Sequence, residues 1–334
     1  MIRRFLDSNM IKDFLNIKCS YSKRKNRIRL KVSAPASIAN LGPGFDVLAV
    51  AISDLKDILE ISYDPHGSDL DLEVQGIDIP KEENIVYRIA SIFQESCEGS
   101  LYLKLFKGIP ISKGLGSSGA SSVAAVVGLS KTYGIDLSDE EIISIAGYGE
   151  SIVAGEPHYD NVSASYLGGF VLIDHEMNRF IKLDIKKDIW FTILIPEIPV
   201  PENKTLYARS LLPNNLDRRD VIKQMSNIAK LLIGIYKEDL KMMGEALSKD
   251  YIAEPYRSKM IPYYYDLKKI ALENEALGFN ISGAGPSVFA LTKDSFDAER
   301  VGRILSKYLS EKGVENRYFT AKINNFGAVV EVIM

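Results

Sequence analysis

Cysteine, tryptophan and histidine are scarce in this chain: two, one and three among 334 residues. So few cysteines argue against a disulfide scaffold and for a reducing compartment. No Cys/His cluster suggests structural zinc. No apolar run is long enough to span a bilayer, and no internal repeat or low-complexity stretch occurs. No Gly-Lys-[Ser/Thr] closes a glycine-rich loop, which excludes a P-loop. What remains is globular in composition. Apolar residues make up 46% of the chain, and its length suffices for two domains.

The net charge of −3 hides an asymmetry. Residues 1–29 hold nine Lys or Arg against two Asp or Glu, a local +7 that leaves −10 for the remainder. A basic start suggests nucleic acid, a membrane surface or import. Here apolar residues are few and no cleavage-like small-residue site follows. The segment, with Lys23, Arg24, Lys25 and Arg27 before a strand from Ile28 to Ser33, reads as a disordered extension. An unused upstream start, with Met10 as the alternative, gives the same expectation.

The most informative segment is Gly114-Leu115-Gly116-Ser117-Ser118-Gly119-Ala120. It follows an alternating apolar run, Leu101 to Phe106, and Pro110. It leads into Ser121 to Val127, small and compatible with helix. The order is strand, glycine-rich loop, helix start. Glycine lets backbone amides approach a ligand closely, and a helix N-terminus offers unpaired donors with positive partial charge. Together they seat a phosphate. Taken alone, the segment is nearly as well explained as a tight turn packed on small residues. A dinucleotide fingerprint is not the expected reading.

Two more segments have the same character. One is Ala34 to Asp46, with Asn40-Leu41-Gly42-Pro43-Gly44-Phe45-Asp46 at its end; the other is Asn280-Ile281-Ser282-Gly283-Ala284-Gly285-Pro286-Ser287. The three in order resemble the motifs of the small-molecule kinase superfamily of galactokinase, homoserine kinase, mevalonate kinase and phosphomevalonate kinase. Within it the first motif, His158 to Val162, Leu167 to Phe170, Thr205 with Ala208-Arg209, and Arg257-Ser258 resemble the homoserine kinases. The resemblance covers Lys31 to the C-terminus. It implies an α+β fold: an N-terminal domain like ribosomal protein S5 domain 2 (residues 30–190) and a C-terminal ferredoxin-like α/β sandwich (residues 191–334). The active site then lies between them.

The resemblance also implies roles. Homoserine is a zwitterion with a terminal hydroxyl. Arg209 and Arg257 match carboxylate-binding arginines, whose planar fork suits that group. Asp46 and Asn40 match positions at the amino end, Asn161 the residue near the hydroxyl, and Thr205 and His158 lie in the same pocket. Asn84 and the stretch Pro110, Ile111, Ser112, Lys113, Gly114, Leu115, Gly116, Ser117, Ser118, Gly119 and Ala120 belong to ATP. Ser282, Gly283, Ala284 and Gly285 form the third-motif loop. Ser118 and Glu150 match a magnesium pair, a hydroxyl and a carboxylate. Glu150 sits on a helix opened by a capping box, Ser138 with Glu141. Asn161 cannot accept a proton, so it is expected to orient the hydroxyl; Asp160 is the rival candidate for base. Lys113 is expected to face solvent. As an isolated arginine, Arg257 could equally be a solvated surface residue. The expected protein is a cytoplasmic ATP- and Mg2+-dependent kinase for threonine synthesis, a homodimer, with no nucleic acid or membrane partner. The alternatives are a sister kinase for another alcohol, or a non-catalytic nucleotide-binding regulator.

Overall fold

A computed structural model describes residues 8–21, 26–76, 79–154, 158–201 and 203–333. Lys23 to Lys25 fall outside them. The chain first forms α1 (Ser8–Tyr21), β1 (Ile28–Ala39), β2 (Leu48–Asp64), β3 (Leu70–Gln75), α2 (Ile85–Cys97) and β4 (Ser100–Phe106). α3 (Ser117–Tyr133), α4 (Asp139–Ala154), α5 (Tyr159–Leu167), β5 (Phe170–Asp174) and β6 (Arg179–Leu183) complete this part. β7 (Trp190–Pro196), α6 (Lys204–Ser210), α7 (Arg218–Tyr236), α8 (Leu240–Leu247), α9 (Glu254–Arg257) and α10 (Tyr264–Glu273) follow. The chain ends with β8 (Gly278–Ile281), β9 (Val288–Thr292), α11 (Ser295–Glu311), β10 (Asn316–Lys322) and β11 (Val329–Val332).

Period-two patterning builds both sheets. In β1, Ile28, Leu30 and Val32 are buried and Arg29 is exposed; from Ala34 onward every residue is buried. The first sheet runs β11-β1-β2-β4-β3, with β5 and β6 continuing from β2. Only β3 and β4 pair in parallel among its ladders. The second sheet is antiparallel in the order β10-β7-β9-β8. Numbered along the chain, that is 4-1-3-2, the ferredoxin-like arrangement. Both its faces are covered. Phe191, Ile193 and Ile195 of β7 join the core shared with the first sheet. Leu194 points the other way, to Phe279, Val301 and Leu305 under α10 and α11.

Local chemistry sets the helix starts. Asn84 caps α2 by accepting from the Val86 amide at 2.9 Å. Ser138 and Glu141 bond each other's backbone amides at 2.9 and 3.2 Å, the capping box read from sequence. A turn separates α7 from α8. Glu238 takes a left-handed turn (φ 53°) and Asp239 caps α8 through the Met242 amide at 3.0 Å.

Two expectations fail. The extension is not wholly a disordered tail, because residues 8–21 form α1. Ile11, Leu15 and Cys19, four apart, bury one face in the main core, and Cys19 is disulfide-bonded to Cys97 of α2. The cysteines therefore do not carry the inference of a reducing compartment. The second domain also does not keep residues 191–334 to itself: β11 returns to the first sheet, with Leu30 opposite Val332 and Ser33 opposite Val329. No helix among the described residues is long and apolar enough to cross a membrane.

Candidate active site

Three backbone segments meet where the two parts of the fold join. In the first, Asn40, Leu41 and Gly42 are all left-handed (φ 72°, 47° and 71°). Two of these are not glycine, so the surroundings must hold the turn. Asn40 does much of that. Its Nδ2 donates to the Gly283 carbonyl at 3.0 Å and its Oδ1 accepts from the Asp46 amide at 3.1 Å. The third segment, Ser282 to Gly285, closes on the glycine-rich loop: Ser282 Oγ donates to the Gly114 carbonyl at 2.7 Å. A Cβ on Gly114 would lie 2.4 Å from the Ser282 carbonyl oxygen. One on Gly116, itself left-handed at the start of α3, would lie 2.2 Å from Ser37 Oγ and 2.8 Å from Asn161 Oδ1. Glycine is required at both positions because two backbones and the α5 side chains close in there.

These glycines, with Gly119, do have the Gly-x-Gly-x-x-Gly spacing. The match carries no dinucleotide meaning. The preceding strand β4 pairs antiparallel with β2, outside any βαβ unit that starts at this loop.

A cavity of about 530 Å3 opens between the segments. Its lining gathers Asn40, Asp46, Asn84, Pro110, Ile111, Ser112, Gly114, Leu115, Gly116, Ser117, Ser118, Glu150, His158, Asp160, Asn161, Thr205, Arg209, Arg257, Gly283 and Ala284. Of the residues expected there, Lys113, Gly119, Ala120, Ser282 and Gly285 do not line it. Lys113 does not face solvent either: its Nζ pairs with Glu197 Oε2 at 2.6 Å, with 13% of the side chain exposed. Gly119 and Ala120 are buried within α3.

Charge is divided across the cavity. Arg209 reaches both Asp46 oxygens, at 3.1 and 3.4 Å, in a fork-on-carboxylate geometry. Arg257 is buried, not solvated. Its Nη1 donates to the Gly283 carbonyl at 3.1 Å and its Nε to the Ala208 carbonyl at 3.3 Å. Phe45, unmarked in the sequence reading, lies under both guanidiniums at 5.8 and 4.9 Å. Asp160 is buried in the same cavity, and burial, then the nearby Asp46, push its carboxyl up from the ordinary range. Asp160 Oδ1 accepts from the Asn161 amide at 2.7 Å and from Asn161 Nδ2 at 3.1 Å. Ser37 Oγ donates to Asn161 Oδ1 at 2.9 Å, so the Asn161 amide is held at both ends.

Ser118 Oγ donates to Glu150 Oε1. Glu150 is buried, and burial raises its carboxyl above the ordinary range. His158 Nδ1 stands 3.9 Å from Glu150 Oε2, while its buried Nε2 has no hydrogen-bond partner among the described residues. A hydroxyl and a carboxylate in contact at the cavity wall are hard oxygen donors. They fit a magnesium ion that takes its other ligands from phosphates and water.

Besides Phe45 and Ser37, sequence reasoning missed three supports. Lys107 lines the cavity beside Ser117 and Ser121 and pairs with the fully buried Asp57. Asp57 also accepts from the Gly108 and Ile109 amides at 3.1 Å each, which fixes the approach to the loop. Lys204, at the start of α6, is buried with its Nζ 2.5 Å from the Gly285 carbonyl. Burial, with Arg257 and Lys113 nearby, brings its ammonium down to about 7.

Comparison with known proteins places this geometry. Residues 84–169 match the GHMP kinases N terminal domain, and residues 230–311 the GHMP kinases C terminal. A homoserine kinase of Thermoplasma acidophilum is 37% identical over 308 residues, 91% of this chain and 97% of that protein. The chain belongs to the homoserine kinases of the GHMP family. A second homoserine kinase, of Pyrococcus horikoshii, is 35% identical over 298 residues, covering 88% and 98% of the two chains. The crystal structure of homoserine kinase from Cytophaga hutchinsonii is similar at TM-score 0.82 and 31% identity, over 92% of this chain and 98% of that one. In this homoserine kinase family member, then, the glycine-rich loop, the Arg209–Asp46 pair and the Ser118–Glu150 pair share a kinase's cavity.

Proposed function

We infer that the protein transfers the γ-phosphoryl group of ATP to the side-chain hydroxyl of L-homoserine, giving O-phospho-L-homoserine for threonine synthesis. The observation that carries this reading is one cavity offering opposite charges, Arg209 and Arg257 against Asp46, beside a glycine-rich loop at a helix N-terminus. A free amino acid needs both signs; a sugar or a simple alcohol needs neither.

In this reading the homoserine carboxylate meets Arg209 and Arg257, and its ammonium meets Asp46 with Asn40. Binding then exchanges the internal Arg209–Asp46 pair for two pairs with substrate. Thr205 and His158 complete the polar wall. The amides around Gly114 to Ser118 and the start of α3 hold the phosphates, with Asn84 toward the adenine side. Ser118 and Glu150 would hold magnesium. When bound, that ion neutralises phosphate charge. Asn161, clamped between Ser37 and Asp160, points the hydroxyl at the γ-phosphorus. The hydroxyl oxygen bonds to phosphorus, the bond from phosphorus to the β–γ bridging oxygen breaks, and ADP leaves. The hydroxyl proton goes to a phosphoryl oxygen or to water. A loose transition state needs little activation of the nucleophile, so a strong base is dispensable.

We also place the enzyme in the cytoplasm, on the chemistry of its pathway, and as a homodimer. Ile222, Met225, Ala229, Ile233 and Tyr236 leave an apolar stripe exposed along α7, which supports docking of a second copy. Cell fractionation and light scattering test these two points; a monomer at micromolar concentration would remove the second.

A coupled ADP-release assay on homoserine, mevalonate, shikimate and galactose, with and without Mg2+, tests the function. Turnover is expected on homoserine alone and only with Mg2+. Turnover on another of these alcohols but not homoserine would indicate a sister kinase. Nucleotide binding without turnover on any of them would indicate a regulator.

A further inference from the structure

We propose that Lys204 is a phosphate-binding residue of this site, whose amine takes up a proton as the nucleotide's polyphosphate arrives. The proposal rests on the kinase reading and extends it to a residue with no role in it so far.

The geometry carries it. Lys204 Nζ and the glycine-rich loop converge on one atom, the Gly285 carbonyl oxygen. Nζ is 2.5 Å from it, and a Cβ on Gly114 would be 2.8 Å from it. Lys204 lines the same cavity as Gly114, Gly116 and Ser118. It is buried, and its one hydrogen-bond partner among the described residues is that neutral carbonyl. Its neighbours do not supply a counter-charge. Lys113, on the loop, is neutralised by Glu197, which also takes Arg317 at 3.1 Å. Arg257, on α9, repels it. Arg209, on its own helix, already holds Asp46. An amine in such surroundings gives up its proton readily, consistent with its fall to about 7. An anion of multiple charge beside it reverses the balance. The polyphosphate is that anion, because the loop that seats it is the loop Lys204 adjoins.

Calorimetric titration with ADP and Mg2+ at pH 8, in two buffers of different ionisation enthalpy, tests this. At that pH the nucleotide is fully ionised. Wild type is expected to take up most of one proton per ADP. Lys204→Met is expected to take up almost none and to bind about tenfold more weakly. Lys204→Arg, which stays charged, is expected to keep affinity without uptake; it also separates loss of charge from loss of packing. Equal uptake by wild type and Lys204→Met would overturn the proposal. So would uptake that accompanies L-homoserine rather than ADP. Because binding is read directly, a failure of homoserine turnover leaves this result interpretable.

Discussion

Asp160 shows how a single residue trades stability for a polar pocket. Its carboxyl is raised above the ordinary range by burial and by Asp46. In the unfolded chain it ionises near 4. Between that value and its raised native value, the folded state holds a proton that the unfolded state has released. Folding therefore loses stability as pH rises through this window. Asp160→Asn keeps an acceptor for the Asn161 amide and Nδ2 and removes the titration. It is expected to raise stability at pH 7 by something on the order of 1 kcal/mol, and the gain should vanish below about pH 4. Thermal unfolding at the two pH values checks this. Turnover should survive in the same variant. Its abolition, with homoserine binding intact, would make Asp160 the base and undo the role given to Asn161. Much of this site was legible residue by residue, because Asn40, Asp46, Ser118 and Asn161 fall inside long motifs; Glu150 lies outside them and was reached through the family resemblance alone. Lys113 was not: its partner Glu197 lies on another loop, and no spacing in the chain announces the pair. Lys107 and Ser37 were missed for the same reason. Their partners Asp57 and Asn161 are brought to them by folding alone.

Among the elements, strands and caps were read well where local chemistry decides them. The strand expected from Ile28 forms as β1, the alternating run Leu101 to Phe106 falls within β4, and the Ser138 capping box forms. α1 was misread for a physical reason. Its apolar residues recur every four positions, but the surrounding Lys and Arg outweighed them as a signal, and nothing local reveals α2 as the surface they cover. Lys12 pairs with Glu95, and Lys18 donates to the Asp136 carbonyl at 2.8 Å, so the basic residues themselves anchor the helix. α1 meets α2 at its C-terminal end, far along the helix from Asn84 in the cavity. Removing residues 1–25 should lower the melting temperature clearly. Cys97→Ser should lower it too, with a loss of stability of about 2–4 kcal/mol, since the bond closes a loop with a sequence separation of 78. Both variants should keep kcat/KM for homoserine within about twofold of the full chain at 25 °C. Unchanged melting would deny α1 its structural part. A large loss of kcat/KM in a folded variant would tie it to the site.

For the whole molecule, the join between its two parts is what makes the site. β11 stitches the end of the chain into the first sheet, and Phe191, Ile193 and Ile195 share a core with it. The wall bearing Ser118, Glu150 and Asn161 is thereby held against the wall bearing Arg209, Arg257 and Lys204. The sequence motifs marked both walls; the domain limits gave β11 to the second domain, whereas it closes the first sheet. The central claim is that these walls recognise both charged ends of an amino acid while its hydroxyl meets the nucleotide. The direct measurement is kcat/KM for L-homoserine against 1-butanol, which keeps a primary hydroxyl and lacks both charges, in wild type and Arg209→Lys. Expected are a preference for homoserine of more than about 10^3-fold and a KM for homoserine raised roughly tenfold or more in Arg209→Lys. Equal turnover of the two alcohols, or an unmoved homoserine KM in the variant, would contradict it.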